Sequence, residues 1–170
     1  MFARHFIDSL DFAHNGRELR GIAPLTEMPR LQDMLATPEG EISYFVRGIP
    51  EKNGKPMLEV SVDGQCQLRC QRCLNGFAYP LKLVSRLQLA QPGEMDEFSV
   101  EENDEADSIM ADKRLDVLNM IEEEILLSLP FAPMHPSGAC KSVAEGWNQS
   151  DTNPFAVLEG LKGLAGLKNN

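Results

Sequence analysis

Nowhere does the chain carry the roughly 18 consecutive apolar residues that a membrane-spanning helix needs, and its first ten residues, Met1 to Leu10, are interrupted by His5 and Asp8. The expectation is therefore a cytoplasmic, unprocessed chain with no membrane partner. Histidine is scarce, at three residues. His5 and His14 stand near the N-terminus without a partnered serine, cysteine or carboxylate motif, and no glycine-rich phosphate loop or H-E-x-x-H occurs. Lacking those signatures, the chain is expected not to be an enzyme. Only four cysteines occur, Cys66, Cys70, Cys73 and Cys140. In a reducing compartment they are free thiols or metal ligands rather than disulfides. No internal repeat and no long low-complexity tract is visible.

What is present is ordinary in amount and uneven in place. The 170 residues are 42% apolar and 25% charged, enough for one compact domain with a real core. Net charge is −10, yet Lys and Arg number 11 against 10 Asp and Glu over residues 1–90, 2 against 13 over 91–130, and 3 against 3 over 131–170. A near-neutral body thus carries one acidic segment, which leaves room for a local basic face on the first half.

Hydropathy supplies the architecture. From Leu58 to Cys70, apolar or small residues alternate strictly with polar ones, as in a half-buried β-strand. Leu74-Asn75-Gly76 turns the chain into a second strand. Asn53-Gly54 offers a hairpin turn before the first. The reading is an antiparallel meander of strands at 41–52, 56–70 and 76–90, preceded by a short strand at Glu18–Leu25 and a brief helix at Met28–Ala36. The eight acids of Gln91–Ser108 mark a solvated loop. Leu118, Ile121, Ile125 and Leu129 form one stripe of a helix at about 115–129. The expected fold is α+β, an antiparallel β-meander covered by one long helix. Residues 1–152 form a single domain and 153–170 a short helix or flexible tail, capped by Asn153 and opened by Pro154.

The chemistry concentrates at the hairpin tip. Cys70-Gln71-Arg72-Cys73 lets two sulfurs take adjacent corners of one tetrahedral metal. His135 and Cys140, in the irregular stretch after the helix, have the right chemistry to complete it. Together the four match the ligand count of a structural zinc site. Cys66 shares the core face of its strand with Leu68 and is a poor ligand. Two other readings stand beside zinc: thiols that are merely small buried hydrophobes, and a redox pair. The redox reading is weakened because redox C-x-x-C motifs open a helix, whereas this one closes a strand.

Cys-Gln-Arg-Cys-Leu at 70–74, Glu-Glu-Glu-Ile-Leu-Leu-Ser-Leu-Pro at 122–130 followed by Pro133 and His135, then Cys140, and Asn-Pro-Phe-Ala-Val-Leu at 153–158 recur in this order elsewhere. In these the chain resembles the YceD-like large ribosomal RNA subunit accumulation proteins, over its whole length apart from the acidic loop. The resemblance implies a bacterial cytoplasmic factor for synthesis, processing or stability of 23S rRNA, with no reaction attached. Many members place a denser cysteine cluster after the helix, where this chain has Cys140 alone.

Arg69, Arg72, Lys82 and Arg86 surround the tip, with Phe77 and Tyr79 interleaved on the outgoing strand. Basic and aromatic residues so mixed suit phosphates and unpaired bases of 23S rRNA or its precursor; the other reading is an ordinary wet strand face. The alternative function is an adaptor without direct RNA contact. Its acidic segment would meet basic ribosomal proteins or assembly factors, and its Phe155, Val157, Leu158 and Leu161 stripe would enter a partner groove.

Overall fold

The computed structural model describes residues 4–50, 55–91 and 107–140. In order these form β1 (Phe6–Ile7), α1 (Ser9–His14), β2 (Glu18–Pro24), a 3-10 turn (Leu25–Glu27), α2 (Pro29–Gln32), β3 (Leu35–Thr37) and β4 (Glu41–Ile49). β5 (Met57–Arg69), β6 (Gly76–Ala90), β7 (Asp107–Met110), β8 (Leu115–Asp116) and α3 (Val117–Ser128) follow. The Asn53-Gly54 turn, most of the acidic loop and the whole of 153–170 lie outside the described residues.

β5 is the axis of the sheet. Its alternating residues Leu58, Val60, Val62, Cys66 and Leu68 are buried, while Asp63, Gln65 and Arg69 are exposed on the opposite face. It pairs antiparallel with β6 along its whole length, from Met57 opposite Gln88 to Arg69 opposite Gly76. On its other edge β4 reaches from Met57 to Gly64, and β3 takes over near Leu68. β2 flanks β4, and β7 flanks β6 in parallel, so the order is β2-β4-β5-β6-β7 with β3 beside β5. β1 and β8 make a separate two-stranded sheet.

The expectation of an antiparallel β-meander covered by one long helix is not met. Strands take 47% and helices 21% of the described residues, so this is a sheet-rich α+β fold with a parallel edge. The reason is one of size. α3 has 12 residues, about 18 Å of helix. β5 alone has 13, about 43 Å of strand, in a sheet of six strands. A single helix of that length cannot cover such a sheet, so the cover is shared. α1 packs on β4 and β5, α3 packs on β6, and α2 contacts α3. The helix expected over Met28–Ala36 is correspondingly short, and its second half becomes β3. Gly48 permits the α1 contact, because a Cβ there would run into the Phe12 carbonyl and the Ala13 Cα.

α3 begins where Asp116 accepts from the backbone N–H groups of Leu118 (3.0 Å) and Asn119 (3.3 Å). Leu118, Ile121, Ile125 and Leu129 are buried against the sheet. Glu122, on the same helix, is only 3% exposed. Its carboxylate accepts from Arg30 N (2.6 Å), Leu31 N (3.1 Å) and Arg30 Nε (3.2 Å). Pro29 opens α2, so the Arg30 and Leu31 amides are the next orphan donors of that helix, and a glutamate from α3 caps them.

Candidate metal centre

β5 runs out at Arg69 and the chain reverses through Cys70–Asn75. Leu74 N donates to Cys70 O (2.8 Å), Cys70 N donates to Asn75 O (3.0 Å), and Leu74 takes a left-handed φ of 61°. A leucine in that region is held against a preference of about 1–2 kcal/mol. The segment after α3 is tied to this turn by Gln71 N donating to Pro133 O at 2.9 Å. That clamp carries His135 and Cys140 to the cysteines.

The four side chains converge. Cys70 Sγ lies 3.7 Å from Cys140 Sγ, while His135 Nδ1 lies 3.4 Å from Cys73 Sγ and 3.6 Å from Cys140 Sγ. All four ligand atoms fall within 4.8 Å of one another. A tetrahedral zinc with ordinary Zn–S and Zn–N bonds needs edges of about 3.8 Å between sulfurs and about 3.6 Å between sulfur and nitrogen. The donor set and its spacing therefore fit a metal ion, and the group can hold one. The sulfurs are far outside the 2.05 Å of a disulfide, and all four cysteines are free. Cys66 stays in the core, where burial pushes its thiol up to about 11.

The surroundings supply further support for the ligands. Phe77 packs on the His135 ring with centroids 4.9 Å apart, and His135 N reaches Cys70 Sγ at 3.5 Å. Arg72 Nε donates to Cys140 Sγ at 3.0 Å, which holds the guanidinium still more firmly protonated. Three thiolates and one neutral imidazole around a divalent cation leave a net negative charge, and Arg72 faces it. Cys140 itself is raised, burial being the main cause, against the opposing pull of Arg72.

Cys70 behaves differently. Burial pushes its thiol up, but backbone N–H donation from His135, Cys73 and Arg72, with the His135 side chain, outweighs that and brings it to about 5. A thiol depressed on folding stabilises the fold fully above its unfolded value near 8.5, and loses that contribution as pH falls through about 5. The metal-free protein should accordingly show a thiolate absorbance step near pH 5 that disappears in Cys70→Ser. A single thiolate step above pH 8, unchanged by Cys70→Ser, would contradict this environment.

The basic and aromatic residues of the hairpin are divided between two faces. Phe77 and Tyr79 lie partly buried on the core side, edge to face with centroids 6.5 Å apart. Arg69, Lys82 and Arg86 are on the outer face, where Arg86 pairs with Glu59 at 3.3 Å. Arg72 stands at the tip, on Cys140. Phe155, Val157, Leu158 and Leu161 lie outside the described residues. One aromatic escaped notice in the sequence: Phe131, fully exposed just past α3 and two residues before the Pro133 clamp.

A family model described as "Large ribosomal RNA subunit accumulation protein YceD" matches residues 58–162. A protein of Haemophilus influenzae carrying that same description is 23% identical over 181 residues, covering 92% of this chain and 94% of the relative. No solved structure matches.

Proposed function

Because this chain belongs to the YceD family of large ribosomal RNA subunit accumulation proteins, we propose that it acts without catalysis in large-subunit biogenesis, supporting synthesis, processing or stability of 23S rRNA in the cytoplasm. The match over 58–162 carries this reading, since it spans the cysteine hairpin, α3 and the segment that brings His135 and Cys140. Depleting the protein should lower the ratio of 23S to 16S rRNA, and resupplying it should restore the ratio. An unchanged ratio would remove the reading.

Within it, the four ligands hold a structural zinc. Zinc would staple the hairpin tip to the segment after α3 without taking part in any reaction, and the tetrahedral spacing of the donors supports this. The stapled tip then presents cations and an aromatic ring to RNA. Arg69 and Lys82 make no ion pair among the described residues, and Phe131 is free to stack on an unpaired base. Arg69→Glu combined with Lys82→Glu should weaken binding to single-stranded 23S fragments, and each lost phosphate contact should flatten the salt slope by about 0.7. Phe131→Ala should weaken binding with the slope unchanged. Equal affinity for wild type and both variants would take this surface out of the account.

A further inference from the structure

We propose that the groove between β7, β8 and α3 is a docking site for a lysine- and arginine-rich protein segment. The groove has a volume of about 520 Å³ and lies on the far side of β6 from β5. Glu124 is the residue that points to a ligand. It is 6% exposed, yet among the described residues it makes no hydrogen bond and no ion pair. Glu122, two residues earlier on the same helix and 3% exposed, has three donors on its carboxylate. Because no described side-chain oxygen is both fully buried and unpaired, the Glu124 carboxylate keeps contact with the groove it lines. The body of the side chain is buried while its carboxylate opens on the groove with no protein donor. A cation entering the groove would supply the donor.

The walls fit the rest of such a side chain. Asp107, Asp112, Asp116 and Glu123 line the groove with Glu124 against one cation, Arg114, which lies over the Phe6 ring, and the apolar part of the rim includes Leu127, 72% exposed, and Met110, 41% exposed. Lysine and arginine lay methylene stems on apolar surface while the charged end reaches an anion, and methionine adapts to irregular stems. Five acids against one cation in the lining make a field that steers a cationic segment toward the groove. A divalent cation is a poorer match, since it seeks six or more closely gathered oxygens, and among the described residues only Cys70, Cys73, His135 and Cys140 bring ligand atoms close enough to hold an ion. The inference stands on the groove and not on the RNA reading, and either can fail alone.

The test uses the full chain and a short fluorescein-labelled peptide of lysine, arginine and leucine, followed by fluorescence anisotropy at physiological salt. Wild type should bind. Glu124→Gln should weaken binding about tenfold or more, and Leu127→Ser should weaken it severalfold. Glu41→Gln, which removes the same charge from β4, should leave it unchanged. If Glu124→Gln does not fold, Asp107→Asn at the exposed start of β7 reads the same wall and should weaken binding. No binding by wild type, equal loss in Glu41→Gln and Glu124→Gln, or no loss in Asp107→Asn would overturn the proposal. So would displacement of the peptide by Mg²⁺ beyond that by Na⁺ at matched ionic strength, which would assign the groove to a divalent cation.

Discussion

Cys70→Ser with Cys73→Ser should lower the thermal unfolding midpoint of the zinc-loaded protein by roughly 10 °C, the shift expected when a site filled far above its Kd is lost from a chain of this size. The loss should fall short of complete unfolding. The described residues share one apolar core running from Phe12 to Leu129, which does not depend on the tip. What the thiols add is a tie between the β5–β6 turn and a segment 62 residues further along, otherwise held by Gln71 N on Pro133 O. A chelator should bring wild type down to the midpoint of the variant and leave the variant where it is. Identical midpoints for wild type and variant, with and without chelator, would mean that the thiols are only small apolar residues.

Glu122→Ala should be the most damaging single change outside the apolar core, at about 3 kcal/mol or more. Truncation strips Arg30 N, Leu31 N and the half-exposed Arg30 Nε of their shared acceptor, and each sheltered donor left without one costs about 1–3 kcal/mol. Glu123→Ala, one residue on and exposed, should cost under about 0.5 kcal/mol. Denaturant unfolding of the two variants would measure the difference. Similar midpoints would show that α2 can find water for its amides when the glutamate is gone.

Much of this was legible residue by residue, and the failures have physical causes. β5 and β6 could be read because a half-buried strand writes its burial at period two. The same parity held the answer for Phe77 and Tyr79: they are in phase with Leu81, Leu87 and Leu89, which are buried, and out of phase with Lys82 and Arg86, which are not. Composition near the tip suggested one mixed patch where the pleat makes two faces. Asp107–Met110 is strand only because the edge of β6 pairs with it, and nothing local marks such a segment off from the acids before it. Glu122 sits in a run of three glutamates, ordinarily a wet face, and its burial is dictated by helix α2, 92 residues away. α1 and α2, at 6 and 4 residues, are too short to carry a helical period, so their share in covering the sheet could not be seen. The ligand set could be chosen by chemistry alone, because His135 and Cys140 are the sulfur and nitrogen donors available after α3. Their convergence with Cys70 and Cys73 depends on the whole fold.

The most direct measurement is of metal itself. The purified chain would be equilibrated with zinc and desalted, and zinc per chain determined for wild type and for the Cys70→Ser, Cys73→Ser variant. One zinc per wild-type chain and none in the variant is the expected outcome for a donor set with three of its pairs 3.4–3.7 Å apart. Wild type without stoichiometric metal would contradict the staple.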